Sequence, residues 1–116
     1  MKDIAIILGI RPDVIRASKI LKLLNKQNEI DFDFIWSGQH YSENMKDTFF
    51  KQLNVKKPNY EFNIKKGSDA SIVSSTIENL YSHFEENKYK AAVFLGDTNT
   101  VMGSIAAAQH NIPIVH

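Results

Sequence analysis

Apolar residues follow first a strand pattern and then a helix pattern at the start of the chain. "DIAIILG", residues 3–9, is a continuous apolar run ending in glycine, which favours a strand buried on both faces. Pro12 then suits the first turn of a helix, where its missing N–H is not needed. The helical stripe that follows consists of Val14, Ala17, Leu21 and Leu24, widened by Ile20 and Leu23.

Strand and helix patterns continue to alternate to the end of the chain. Further strands are predicted over 31–37 and 90–96, a short edge strand over 60–64, and the start of another over 112–116. Helices are predicted over 42–53, 68–87 and 100–111. This order predicts an α/β domain with a Rossmann-like parallel sheet and helices on both faces.

Composition narrows the class of protein. The 116 residues suffice for one small domain, and the 43% apolar content is ordinary for a globular chain. The net charge of +1 gives no reason to expect nucleic acid or an anionic membrane as partner. No cysteine is present, which excludes disulfides and thiolate metal sites. The N-terminal apolar run is too short for an export signal, so a soluble cytoplasmic protein is expected.

The predicted last strand, 112–116, coincides with the end of the sequence. Ligands of open α/β sheets bind in loops beyond the carboxyl ends of strands, and this strand has no such loop here. We therefore expect residues 1–116 to be a truncated domain at the N-terminal end of a longer protein.

Three predicted strand ends carry candidate chemistry, and the first is Gly9 to Asp13. With one glycine, it matches neither the dinucleotide fingerprint nor a phosphate loop. Arg11 lies where a helix begins, and its guanidinium could bind a phosphate there. The alternative is a surface arginine paired with Asp13. Arg16, one turn later, is a weaker candidate whose alternative is a solvated helix face.

The second strand end is "SGQHYSEN", residues 37–44. Gly38 allows a turn, and Gln39 and His40 follow it before a helix. His40 could be a general acid or could bind a sugar or phosphate. A hydrogen-bonded loop histidine is the alternative.

The third strand end is "FLGDTNT", residues 94–100. Asp97 could be a general acid or base, or it could cap the following helix. Thr98 adds a hydroxyl that suits a sugar or a phosphate. Elsewhere, His83 and His110 are predicted to be surface or packing residues, and no cluster has metal-ligand spacing.

Together the stretches "GIRPDVIRAS", "SGQHYSENM" and "LGDTNTVMGSIAAAQHNIPIVH" resemble the non-hydrolysing UDP-N-acetylglucosamine 2-epimerases. That family's pattern is roughly G-T-R-P-E-x-I-K, a G/A-Q-H turn, G-D-T-x-T, and a strand ending in x-H-V-E-A-G. The resemblance covers essentially the whole chain. It implies a glycosyltransferase-B-like fold, with a nucleotide sugar between two Rossmann-like domains.

The resemblance also implies roles for individual residues. Arg11 matches the arginine that contacts the substrate phosphates, and Arg16 matches the family's lysine. Gln39 and His40 match its substrate-side turn. Asp97 matches the acid implicated in catalysis.

Two further residues, Thr98 and His116, are predicted to bind substrate. His116 matches the histidine that precedes the family's V-E-A-G. Ile10 and Asp13 depart from the family's threonine and glutamate, so the sugar could differ, for instance a deoxy or diacetamido relative.

The implied reaction interconverts UDP-N-acetylglucosamine and UDP-N-acetylmannosamine by elimination and re-addition of UDP. No metal or redox cofactor is implied, and a homodimer that serves polysaccharide biosynthesis is expected. Because the family's later acids, later histidine and C-terminal domain are missing, we expect residues 1–116 to be inactive alone.

Two alternatives remain open from the sequence. One is a hydrolysing epimerase or a glycosyltransferase of the same fold, although "RPD" differs from the R-A-D-like motif of the hydrolysing enzymes. The other is a self-contained flavodoxin-like binding domain, although the acidic pair and final lysine of a receiver domain are absent.

Overall fold

The strands and helices alternate as the sequence predicts. The structure, a computed structural model, describes residues 1–38, 43–62, 64, 67–96 and 99–116, with the side chains of 43–47 also left undescribed. The strands are β1 (Lys2–Leu8), β2 (Phe32–Trp36), β3 (Tyr60–Glu61), β4 (Tyr89–Phe94) and β5 (Ile114–Val115). The helices are α1 (Arg11–Lys26), α2 (Glu43–Gln52), α3 (Asp69–Glu86) and α4 (Ser104–Gln109), with a 3-10 turn at Asn99–Gly103.

The strands pair in one parallel sheet of order β3-β2-β1-β4-β5. The chain starts at the central strand, moves outward to β3, and then returns to the other side of β1. This reversal places a topological switch point between β1 and β4, where open α/β sheets bind ligands. The predicted α/β fold class is confirmed.

Both faces of the sheet are covered, because β1 is apolar at every central position. Ala5 and Ile7 belong to the core with α3 and α4, whereas Ile6 and Leu8 belong to the core with α1. This alternation is what a parallel strand between two helical layers requires. No helix in the described ranges is both long and apolar enough to span a membrane.

The predicted width of the α1 stripe is wrong. Ile20 is 57% exposed and Leu23 is 66% exposed, while Leu21 is buried. Each helical residue turns the side-chain direction by about 100°. Leu23 therefore points about 200° away from Leu21, and Ile20 about 100°. Only a narrow stripe of α1 reaches the sheet.

Three segments are shorter than their sequence patterns suggest. The edge strands β3 and β5 contain two residues each. The small-residue helix predicted over 100–111 begins as the 3-10 turn, and only Ser104–Gln109 is α-helical. Gly103 lies so close to Leu80 of α3 that a side chain there would overlap it.

A buried polar network joins the sheet to α3 at the amino ends of the strands. Asp33 of β2 accepts hydrogen bonds from Lys2 Nζ (2.5 Å) and from the Tyr89 hydroxyl (2.6 Å). His83 Nε2 lies 2.8 Å from that hydroxyl, and Asn87 Nδ2 lies 3.4 Å from His83 Nδ1. Because the hydroxyl donates to Asp33, His83 must donate from Nε2 and accept at Nδ1. The network therefore requires a neutral His83.

Stability is expected to fall on acidification because of His83. Burial lowers its pKa below the ordinary 6.5, while Asp33 and Glu86 oppose the shift. The unfolded chain then binds a proton at His83 more readily than the folded chain does. The free energy of unfolding is therefore fully retained above pH 6.5, and part of it is lost as the pH falls toward the pKa of folded His83. The urea midpoint should therefore decrease as the pH falls below about 6.5.

Two variants separate His83 from other titrating groups. His83→Gln should remove the pH dependence in this window, and His110→Gln should retain it. The pKa of Asp3 is lowered from 3.8, chiefly by its hydrogen bond with Lys90, so Asp3 acts at lower pH. Equal pH dependence in all three proteins would exclude His83 as its source.

Candidate functional site

The candidate site lies at the carboxyl edge of the sheet, beyond the ends of β1 and β4. Because the strands are parallel, the segments that follow Leu8, Trp36, Phe94 and Val115 all leave the sheet at this edge. The three predicted strand ends therefore converge. The convergence coincides with the switch point of the sheet.

Glycines allow the loops at this edge to pack directly on one another. A side chain at Gly9 would overlap Thr100 Oγ1, and its Cβ would lie 3.3 Å from Ser37 Oγ. A side chain at Gly38 would overlap the Gly9 carbonyl oxygen and the ring of Trp36. The single glycine after β1 thus serves close packing between loops.

Arg11 begins α1 at this edge and packs against α2. Its guanidinium carbon lies 5.4 Å from the ring centroid of Phe49. A guanidinium over an aromatic ring is held by a cation–π interaction. The ring orients the Arg11 side chain at the positive end of the α1 dipole, where an anion is favoured.

Arg16 forms an ion pair one turn into α1. Its Nη2 lies 3.2 Å from Oδ1 of Asp13, and its Nε lies 3.4 Å from the Pro12 carbonyl oxygen. The Asp13 side chain is entirely buried, whereas that of Arg16 is 59% exposed. The sequence analysis named Asp13 as a partner for Arg11 and did not anticipate its ion pair with Arg16.

Gly96 and His116 meet on the other side of the switch point. Gly96 has a positive φ of 77°, a conformation that favours glycine. Its carbonyl oxygen lies 2.5 Å from His116 Nε2, so this nitrogen carries the donated proton. The end of β5 is thereby tied to the turn that follows β4.

Four of the predicted site residues lie outside the described residues: Gln39, His40, Asp97 and Thr98. The helical turn after Asp97 is described, and Asn99 Nδ2 donates to Asp69 Oδ1 over 3.2 Å. This contact ties the segment after β4 to the start of α3. Of the predicted residues that are described, Arg11, Arg16 and His116 all belong to this edge.

Sequence reasoning missed two further features of this edge. Ser37 and Trp36 are buried, and Ser37 Oγ and Trp36 Nε1 have no hydrogen-bond partner among the described residues. The second feature is the burial of Asp13. An acid in the first turn of a helix normally lies in solvent and interacts with the helix dipole. Only its burial, which depends on tertiary contacts, distinguishes it.

The arrangement suits recognition of an anion. Two arginines lie in the first two turns of α1, and guanidinium groups bind phosphate oxygens through paired N–H donors. In the described part of the chain, no three His, Asp or Glu side chains are grouped to hold a metal ion.

Sequence comparison with known proteins indicates one family. The family model described as UDP-N-acetylglucosamine 2-epimerase matches residues 22–116. The UDP-N-acetylglucosamine 2-epimerase of Methanocaldococcus jannaschii is 38% identical over 97% of this chain and 31% of its own length. The UDP-2,3-diacetamido-2,3-dideoxy-D-glucuronate 2-epimerase of Pseudomonas aeruginosa is 32% identical over 95% of this chain and 31% of its own length.

Solved structures agree with the sequence matches. The crystal structure of the M. jannaschii enzyme in complex with UDP-GlcNAc and UDP superposes with a TM-score of 0.88 at 37% identity. The match covers 98% of this chain and 32% of that one. The chain therefore spans about a third of the length of the relatives that it matches.

Proposed function

Because the chain belongs to the UDP-N-acetylglucosamine 2-epimerase family, we propose that it is the N-terminal domain of an enzyme that interconverts UDP-GlcNAc and UDP-ManNAc. The observation that carries this proposal is the placement of Arg11, Arg16, Gly96 and His116 at one switch point. The epimerase structure that superposes on the chain was solved with UDP-GlcNAc and UDP.

Arg11 and Arg16 are proposed to bind the diphosphate of the nucleotide sugar. Elimination breaks the bond between C1 and the UDP oxygen, so negative charge develops on the departing diphosphate. Cations held in place before the reaction stabilise that charge without reorganisation. Phe49 and Asp13 hold the two guanidinium groups in this way.

Asp97 is proposed as an acid–base group at C2. Loss of the C2 proton leaves its electron pair to form the C1–C2 double bond as UDP departs. Protonation of C2 from the opposite face and re-addition of UDP at C1 then give the epimer. Such steps need positioned groups that transfer protons, and Asp97 directly follows the turn at Gly96.

Gln39, His40, Thr98 and His116 are proposed to contact the substrate. The support for His116 is its hydrogen bond to Gly96, which places an imidazole beside the same turn. We further propose a second, C-terminal domain that holds most of the nucleotide, a homodimeric assembly, and a cytoplasmic enzyme that supplies precursors for polysaccharide synthesis.

A second sugar is a specific alternative. The P. aeruginosa relative is named for a UDP-diacetamido-glucuronate, and it is nearly as similar to this chain as the M. jannaschii enzyme. The chemistry at C2 is the same for both sugars. Arg11, Arg16 and Asp97 keep their proposed roles in either case.

A chimera tests the proposed function directly. Residues 1–116 are joined to the part of the M. jannaschii epimerase that follows the matched segment, and the C2 proton of UDP-GlcNAc is followed by NMR in D2O. We expect loss of the C2 proton signal and appearance of the manno sugar. The 116-residue chain alone should leave the signal unchanged.

Two controls define the outcomes. The intact M. jannaschii enzyme reports on assay conditions, and UDP-diacetamido-glucuronate replaces UDP-GlcNAc in a parallel reaction. Turnover of the second sugar alone would change the proposed substrate. A folded chimera that binds UDP but does not exchange the C2 proton of either sugar would contradict the proposed reaction.

A further inference from the structure

Asp13 is a carboxylate buried inside the candidate site. Its side chain has no exposed surface, although α1 begins only two residues earlier at the edge of the sheet. A buried carboxylate is strongly unfavourable unless charged or polar partners compensate for lost hydration. Arg16, at 3.2 Å, is such a partner, and its own side chain reaches solvent.

Asp13 also lies beside the turn that follows β4. A Cβ built on Gly96 would lie 3.6 Å from Asp13 Oδ1, which is ordinary van der Waals contact. The same oxygen is therefore close to both Arg16 Nη2 and the backbone of Gly96. Because the Gly96 carbonyl oxygen also accepts the hydrogen bond of His116, the Gly96 turn has Asp13 on one side and His116 on the other.

We propose that Asp13 is a positioning residue, which aims Arg16 at the substrate diphosphate and fixes the Gly96 turn that leads to Asp97. The proposal rests on the proposed function for its role in turnover, and on the contacts alone for its role in geometry. Removing the charge of Asp13 breaks its ion pair with Arg16, so the Arg16 side chain is free to move into solvent. The group beside Gly96 is then no longer held by that ion pair.

A helix-stabilising role would have different consequences. An acid in the first turn of a helix contributes through the dipole, and its loss lowers only the fraction of folded protein. That loss would decrease kcat in proportion and leave KM unchanged. A positioning role raises KM, because Arg16 then contacts the diphosphate poorly.

Kinetics of the chimera provide one test. Asp13→Asn should lower kcat/KM by about 10²-fold, with a raised KM, because small misplacements of substrate-positioning groups have effects of this size. Arg16→Gln should have a similar KM effect, and the double variant should be no worse than the more impaired single variant. Asp13→Glu, which keeps the charge, should restore most of the activity.

Glu85→Gln is the matched control, since Glu85 is an exposed acid of α3. It should leave both constants unchanged. Additive KM effects of Asp13→Asn and Arg16→Gln would overturn the proposal, as would a folded Asp13→Asn chimera with wild-type kinetics.

NMR of the 116-residue chain tests the geometry without activity. Asp13→Asn should shift the Gly96 amide and the His116 ring signals, while Glu85→Gln should not. If Asp13→Asn does not fold, Arg16→Gln should shift the same signals. If the Gly96 and His116 signals are unchanged in every one of these two variants, Asp13→Asn and Arg16→Gln, that folds, the proposal is overturned even if the chimera is active. An inactive wild-type chimera with the expected shifts would instead refute the proposed function.

Discussion

Asp33→Ala is expected to destabilise the chain by about 3 kcal/mol, the upper end of what a hydrogen bond to a charged group contributes. Asp33 is almost entirely buried and accepts hydrogen bonds from both Lys2 and Tyr89. Its loss leaves the Tyr89 hydroxyl with one partner, His83, and leaves a cavity between β2 and α3. The ammonium of Lys2 is half exposed, so water compensates for part of that contact.

Urea unfolding measures this effect as a shift in the midpoint. Asp31→Ala is the control, because Asp31 lies two residues earlier and is exposed; its change should be within about 0.5 kcal/mol. Asp33→Asn should be intermediate, since it keeps the volume and one acceptor oxygen. An Asp33→Ala midpoint equal to that of the Asp31 control would show that the network contributes no stability.

A double-mutant cycle separates the network from simple burial. Tyr89→Phe removes the hydroxyl that links Asp33 to His83 and should be destabilising on its own. Combined with Asp33→Ala, it should add much less than its separate effect, because the two groups share one hydrogen bond. Strict additivity would mean that the two residues act independently.

The alternation of strands and helices made the fold predictable from sequence. An apolar run such as residues 3–9 has only one stable place in an α/β domain, between two helical layers. Parallel pairing then follows from the intervening helices, and the carboxyl ends must share an edge. The location of the candidate site could thus be predicted before any contact was known.

Side-chain burial within the elements was less predictable. Ile20 and Leu23 extend the apolar stripe of α1 in sequence, yet both are exposed. Asp33 and His83 are polar in sequence, yet they form a buried network. In each case the outcome depends on which residue of another element lies opposite, and periodicity contains no such information.

The roles of the site residues divide along the same line. Arg11 and Arg16 could be selected from their place at a helix start, because the dipole there favours anions. Their partners Phe49 and Asp13 could not, since the ring is 38 positions from Arg11 and Asp13 is an ordinary first-turn acid by sequence. Asp97 stays a prediction, because it lies outside the described residues.

Asp97→Asn is expected to lower kcat of the active chimera by about 10³-fold, within the range contributed by a positioned acid or base. The amide cannot accept the C2 proton, so deuterium incorporation at C2 should fall to the same extent. UDP binding should be preserved, because Arg11 and Arg16 are unchanged. Asp69→Asn is the control. Asp69 begins α3 and accepts a hydrogen bond from Asn99, which lies two residues after Asp97, and its replacement should leave nearly full activity.

The choice of asparagine also decides between the two interpretations of Asp97. Asparagine caps a helix about as well as aspartate, whereas alanine does not and costs about 1 kcal/mol. If Asp97 only caps the turn that begins at Asn99, Asp97→Asn should be nearly silent and Asp97→Ala should lower stability. If Asp97 transfers the proton, both variants should lose activity equally, and only the alanine variant should also be less stable. Retention of more than about a tenth of the wild-type rate by Asp97→Asn would exclude the acid–base role, since proton transfer by a positioned group contributes far more than this.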